Sequence, residues 1–169
     1  ELILDRSNRT VGLNIEHQYK YNRKNEFIYG VEYRNTKDNL HEKQVNGKYY
    51  IEFDRPKLSY NILSAFLQNK TELVTDKLFL TLGAKYEYND FTHANFQPTA
   101  RISYLFNKTK HIWAAISRAV RTPTRWEDGY SRIYHENGIS RIVGSQNFAN
   151  EKTTSYEVGY KSHPFKKRS

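Results

Sequence analysis

The chain has 169 residues, carries 27 Lys and Arg against 18 Asp and Glu for a formal charge of +9, and contains neither Cys nor Met. Without Cys there is no disulfide framework, thiolate metal site or thiol nucleophile, and no apolar run approaches the roughly 18 residues that a membrane-spanning helix needs. A mean hydropathy of −0.87 fits a soluble chain and equally a membrane β-barrel, whose strands show apolar groups to lipid only at alternate positions, while 15% aromatic residues argue against disorder.

Taken in chain order, the periodicity predicts strands. Val11, Leu13, Ile15, His17 and Tyr19 alternate with Gly12, Asn14, Glu16 and Gln18, a period of two and not of 3.6. After the polar stretch Tyr21 to Glu26, the residues Phe27, Tyr29, Val31 and Tyr33 alternate with Ile28, Gly30, Glu32 and Arg34, completing a hairpin. Leu58 to Gln68 has the composition of a strand, with apolar residues on both faces. Leu78, Leu80, Leu82, Ala84, Tyr86 and Tyr88 against Phe79, Thr81, Gly83, Lys85 and Glu87 form the clearest two-faced strand. Gln97 to Phe106 follows. His111 to Val120 is ambiguous in facing, and a helix over Ile112 to Val120 competes because Ala114-Ala115 favours one. Thr153 to Ser162 is the last strand. The absence of an initiator methionine implies that the chain is an internal piece or a processed product.

The connections form a second pattern. Tyr21 to Glu26, Asn69 to Asp76 and Asn107 to Lys110 read as short turns, Asn35 to Lys57 and Arg121 to Lys152 as long loops, and Asn89 to Asn95 as intermediate. A meander with tight turns on one side and long loops on the other is how outer-membrane barrels are built. Each strand is near the roughly 9 to 11 residues that cross a bilayer at about 45°, and Tyr and Phe gather where strands meet turns, as interfacial girdles do. A soluble all-β ligand-binding module, such as a sugar-binding sandwich, shares the enrichment of aromatics in strands and stays open on pattern alone. A nucleic-acid-binding β-domain would need a positive stripe, whereas the cations here are dispersed among acids. The six His show no metal-ligand spacing, and no Gly-rich phosphate loop or nucleophile elbow occurs, so neither a metal, a cofactor nor an enzyme activity is expected.

Five stretches resemble the barrel of TonB-dependent outer-membrane receptors. Ile28-Tyr29-Gly30-Val31-Glu32-Tyr33-Arg34 resembles the family's Gly-x-Glu-Tyr-Arg strand, and Ala65-Phe66-Leu67-Gln68-Asn69 its Phe-x-Gln-Asp element. Leu80 to Tyr88 is similar to its Leu-x-x-Gly-x-Arg-Tyr strand, with Lys85 for the usual Arg. Trp113 to Arg125, containing Ser117-Arg118-Ala119-Val120-Arg121-Thr122-Pro123, is the most specific match, and Val143 to Lys161 resembles the Gly-Asn-x-x-Leu-x-x-Glu block and the Tyr-Glu-x-Gly strand after it, with Ser145 and Phe148 departing from the pattern.

The resemblance implies an all-β, antiparallel up-and-down meander of about seven strands, residues 1–169 being part of a larger transmembrane β-barrel with no plug and no closing C-terminal strand, since family members close about 22 strands around a plug. It implies a receptor in the outer membrane of a Gram-negative bacterium that imports an iron-siderophore complex or a related scarce nutrient, with energy from the TonB complex reaching it through the missing plug. Lipid would meet Val11, Leu13 and Ile15; Phe27, Tyr29, Val31 and Tyr33; Leu78, Leu80 and Leu82; and Tyr156, Val158 and Tyr160. The lumen would meet Glu32, Arg34, Lys85, Glu87, Arg101, Arg118 and Glu157, with opposite charges pairing across strands. In the longest loop Arg121, Arg125, Trp126, Tyr130, Arg132, Tyr134 and Arg141 combine guanidinium and aromatic groups, which suit a flat anionic chelate through charge-assisted hydrogen bonds and stacking.

Overall fold

The computed structural model describes residues 5–41, 44–45, 49–53, 55–124, 127, 130–135, 138–143 and 149–162. Among these, eleven strands occur in the order β1 (Asp5–Lys20), β2 (Asn25–His41), β3 (Gln44–Val45), β4 (Tyr49–Phe53), β5 (Lys57–Val74), β6 (Leu78–Asn89), β7 (His93–Asn107), β8 (Lys110–Arg121), β9 (Tyr130–His135), β10 (Gly138–Val143) and β11 (Glu151–Ser162). Seven of them build one sheet in the order β1-β2-β5-β6-β7-β8-β11, and every neighbouring pair is antiparallel. This is the expected meander. The four strands skipped in that order lie in the two long connections and form a second sheet, β10-β9-β4-β3.

Several boundaries differ from the sequence reading, in one direction. Strand β2 runs seventeen residues and β5 eighteen, so both continue through Asn, Thr, Lys and Asp positions that read as loop. These extensions are polar on both faces and give no alternation, yet side chains stitch them. Thr10 and Thr36 hydroxyls lie 3.2 Å apart, and Arg6 clasps Asp38 with Nε–Oδ1 at 2.9 Å and Nη2–Oδ2 at 3.1 Å.

The turn expected at Asn69 to Asp76 shrinks to Thr75–Lys77, where Asp76 takes φ 56° and Lys77 N–H donates to the Val74 carbonyl at 3.0 Å. The register shift beside it, between Glu72 and Val74, is that of a bulged hairpin. The expected intermediate loop Asn89 to Asn95 is a tight turn, and Ile112 to Val120 is strand and not helix. Its pairing on both sides, with β7 and β11, overrides the local preference of two alanines.

The ladder settles the facing. Tyr19 is level with Phe27, Asn69, Leu82, Ala100, Ile116 and Tyr156 across all seven strands. Leu13 is level with Tyr33, Leu63, Tyr88 and Ala94. All the residues expected to meet lipid therefore share one face, joined there by Leu63, Leu67, Ile102, Tyr104, Ile112 and Ile116. That face is open: Tyr156 and Val158 are 78% and 80% exposed, while the buried apolar residues among those described are Leu40 and Phe53. An apolar surface this large on one side of a sheet, with almost no interior, is what a barrel wall presents to lipid.

The apolar band also slips along the ladder. On β1 it starts at Val11, but on β11 it starts at Tyr156, which is level with Tyr19 and not with Val11. A band that stays level in a membrane must step along strands that cross it obliquely, so this slip records strand tilt and barrel stagger.

Opposite the apolar rows, Glu32, Arg34, Lys85, Glu87, Arg101 and Glu157 fall together. Arg118 does not. It pairs with Thr154 and alternates in phase with Ile112, Ala114 and Ile116, on the outer face just beyond the apolar stretch of β8, where a long cationic side chain can reach polar surroundings. Apolar groups on both faces of β8 hid this in the sequence.

Nor do the inner charges pair across strands as expected. Lys85 meets Glu87 along its own strand at 3.0 Å, Arg101 lies 5.3 Å from the Trp113 ring centre, and Glu32, Arg34 and Glu157 make no ion pair with a described residue. On this same face two glycines make room for aromatic rings. A Cβ at Gly159 would fall inside the indole of Trp113, and one at Gly30 would meet both the Phe66 ring and the Ile15 carbonyl. Gly159→Val should lower the unfolding midpoint in detergent micelles by an equivalent of about 1–3 kcal/mol, and Trp113→Leu in the same background should recover most of the loss.

Candidate functional site

The end of the sheet away from the short turns carries the two long connections. Arg121 closes β8 and stands level with Glu151, the first residue of β11, so the two residues bracket the longer loop. The Arg121 guanidinium binds Glu127 at 2.6 Å (Nη2–Oε1) and 3.1 Å (Nη1–Oε2), and its Nε lies 3.5 Å from a Glu151 oxygen. Glu127 also accepts from the Thr124 backbone N–H at 2.7 Å, while its own N–H donates to the Thr124 carbonyl at 3.0 Å. This is half of the reciprocal Thr-x-x-Glu capping pattern. The Thr124 N–H, then the Thr124 hydroxyl and last the Arg121 charge, hold the Glu127 carboxyl below the usual carboxylate range.

A second brace is built from asparagines. Asn89, fully buried, accepts at its Oδ1 from Phe91 N–H (3.1 Å), Thr92 N–H (2.8 Å) and the Thr92 hydroxyl (3.0 Å), and its amide reaches the Thr122 hydroxyl at 3.4 Å. Asn95 donates to Thr92 and to the His93 carbonyl, and Asn150 donates to Asn95. Thr122 and Asn150 lie at the two ends of the long loop, so both ends are tied to the Asn89–Asn95 turn. Pro123, buried between them, has no N–H to extend the ladder. Sequence reasoning missed this brace, although Asn89-Asp90-Phe91-Thr92 is the spacing of an Asx turn.

The two long connections are not separate. Strand β4 of the first pairs with β9 of the second, with Tyr50 opposite Tyr134, Ile51 opposite Ile133, Glu52 opposite Arg132 and Phe53 opposite Ser131. Strand β10 continues the sheet with Arg141 opposite Arg132 and Val143 opposite Tyr130. Of the residues singled out in this loop, Tyr130, Arg132, Tyr134 and Arg141 therefore occupy the same alternate positions of one ladder, with Tyr50 and Glu52. The structure joins these four. Arg125 and Trp126 lie outside the described residues. Arg121 is near neither strand of the ladder in register, and its donors are committed within the chain. Where the rim meets the wall, Leu40 of β2 and Phe53 of β4 form the buried apolar pair, and Leu40 N–H donates to the Pro56 carbonyl at 2.8 Å.

Among the described residues no group of His, Asp and Glu could hold a metal ion, and no helix is long and apolar enough to cross a membrane. These features together describe the wall of a transmembrane β-barrel: an oblique apolar band outside, polar groups inside, tight turns at one end and a basic, aromatic rim at the other.

The family comparison agrees. The model for TonB dependent receptor-like β-barrels matches residues 2–169, and the chain belongs to this family, which is one of receptors and not of enzymes. Among solved structures, the siderophore receptor PirA from Pseudomonas aeruginosa matches with 17% identity and a TM-score of 0.73, covering 96% of this chain and 30% of that one. PirA from Acinetobacter baumannii matches with 16% identity and a TM-score of 0.73, over 94% of this chain and 25% of that one. A point mutant of the ferric enterobactin receptor PfeA from Pseudomonas aeruginosa, in complex with enterobactin, matches with 16% identity and a TM-score of 0.66, over 95% of this chain and 25% of that one. The chain thus spans 25–30% of the length of these receptors. No curated protein matches.

Because Glu127 has a lowered pKa, its clasp contributes order above the ordinary carboxylate range and loses it as pH falls through that lowered value. The protection of the Thr124 amide, taken relative to its intrinsic exchange rate at each pH, should therefore fall on acidification below the usual Glu range, and Glu127→Gln should show low protection with no such titration. In a separate test, Asn89→Ala should cost about 1–3 kcal/mol and expose the Phe91 and Thr92 amides to exchange.

Proposed function

We propose that this chain is part of an outer-membrane receptor of a Gram-negative bacterium that binds an iron-siderophore complex outside the cell and passes it through the lumen, energised by the TonB complex through a plug that lies elsewhere in the protein. The observation that carries this reading is the pairing of β4 with β9, which merges the two basic, aromatic loops into one ladder. Tyr130, Arg132, Tyr134 and Arg141, sharing alternate positions with Tyr50, supply the guanidinium and phenol groups that a flat anionic chelate needs. Arg125 and Trp126, two and three residues beyond Pro123, belong to the same proposed surface. Arg121 is proposed to act at one remove, by holding the loop base through Glu127 and Glu151.

The inner row of Glu32, Arg34, Lys85, Glu87, Arg101 and Glu157 is proposed to line the wet passage. The chain itself performs no bond chemistry in this reading.

The test is binding and uptake in the complete receptor. Arg132→Ala combined with Arg141→Ala should weaken binding of a ferric catecholate by about tenfold or more, the scale of two lost charge-assisted contacts, with surface expression unchanged. Arg118→Gln, on the outer face, should leave binding as it was. Unchanged binding in the double variant would remove the ladder from the site.

A further inference from the structure

Beyond the apolar band, on the same outward face, the extensions of β1, β2 and β5 carry a group of cations. Arg9 stands directly opposite Lys37, Lys37 is opposite Ser59, and Asn39 is opposite Lys57. These residues and Ser7 line a cleft of about 420 Å³. Like charges directly opposite each other on an antiparallel pair are destabilising, and all three cations are exposed and make no ion pair with a described residue. Asp38 also borders the cleft, but its carboxylate faces the other side of the sheet, where Arg6 takes both oxygens. The inner face of this extension is thus neutralised and the outer face is left with unbalanced positive charge.

Its position relative to the band identifies the anion. Arg9 is the next outward position after Val11 and stands level with Lys37, ~5 Å above the apolar edge for a strand rising ~3.4 Å per residue at a ~45° tilt. That height falls inside the headgroup layer, which adds ~5–7 Å on each side of the ~30 Å hydrocarbon core. Phosphate oxygens in that layer are the strong acceptors that Arg and Lys bind, and Ser7 and Ser59 offer neutral hydrogen bonds to sugar or glycerol oxygens.

We propose that the cleft between the outward faces of β1, β2 and β5 is a binding site for the phosphorylated headgroup of an outer-leaflet lipid, held by Arg9, Lys37 and Lys57 while its acyl chains lie along Val11, Leu13, Tyr33 and Leu63. The inference rests on the reading of this face as lipid-facing, and it is independent of what the rim recognises. It gives the polar extensions of β1, β2 and β5 a task that the lumen and the rim do not share.

The experiment uses the complete receptor in detergent micelles, with native mass spectrometry of bound diphosphoryl lipid A and of its dephosphorylated counterpart. The receptor should retain the phosphorylated lipid in preference to the dephosphorylated one. The variant Arg9→Gln, Lys37→Gln, Lys57→Gln should lose that retention on the order of 100-fold, the ratio that three cations supply at a charged membrane surface. A control with Arg23→Gln and Lys24→Gln, at the turn on the opposite end, should retain the lipid fully. Retention of β-sheet circular dichroism and of barrel migration in unheated SDS reports that the triple variant is folded, and ferric catecholate binding on the same samples separates this proposal from that of the rim. Equal retention of the two lipids, unchanged retention by the triple variant, or displacement of the lipid by millimolar inorganic phosphate would each overturn the proposal.

Discussion

Everything in this chain depends on cross-strand register. Seven strands pair so that every apolar row lands on one face, and a slip of one residue on any strand would carry its Leu, Val and Tyr residues to the polar side and its charges to the apolar one. In a lipid environment such a slip is opposed twice. Each Arg or Lys moved to the middle of the bilayer costs about 2–4 kcal/mol, and each open backbone group at the edge of the pairing goes unsatisfied. The same register creates the oblique course of the apolar band, so strand tilt is written into the ladder by the positions at which Val11, Leu13 and Tyr156 begin it.

The inner face is organised on a different principle. Recessed glycines and aromatic rings alternate with charges, Phe66 lying over Gly30 and Trp113 over Gly159, with Arg101 against the Trp113 ring. This arrangement covers the backbone from within without making the surface apolar. At the loop end the wall hands over to hydrogen-bonded braces. The Arg121 clasp and the Asn89, Asn95 and Asn150 set fix the exits of β8 and the entry of β11, and so aim the longer loop back toward β4. The rim sheet depends on that aim, because β9 belongs to one connection and β4 to the other.

Much of the fold was legible because the period of two is strong wherever a strand faces lipid on one side. Leu78 to Tyr88 could be placed on sight. The polar extensions of β2 and β5 could not, since strands that rise into water on both faces lose the alternation that announces them. The facing of β8 was hidden by Ala114, Ala115, Ile112 and Ile116, which place small or apolar groups on both sides, and Arg118 was assigned to the lumen for want of a register. The loops announced their composition but not their partner: nothing local to Tyr49–Phe53 or Tyr130–His135 says that the two will pair across some eighty intervening residues. Nothing local to Arg121 announces that Glu127 and Glu151 will engage its donors.

The central claim is that one face of this sheet is in lipid and the other in water, which single-cysteine spin labelling tests directly in the complete receptor in bilayers: this chain has no native Cys, and any Cys elsewhere in the receptor is first replaced by Ser. Labels at Leu82, Ile102 and Val158 should relax with oxygen dissolved in lipid, labels at Thr81, Arg101 and Glu157 with a water-soluble nickel chelate, and the alternation should begin at Val11 on β1 but only at Tyr156 on β11. Water accessibility at both sets of positions, or the same starting level on β1 and β11, would contradict the account.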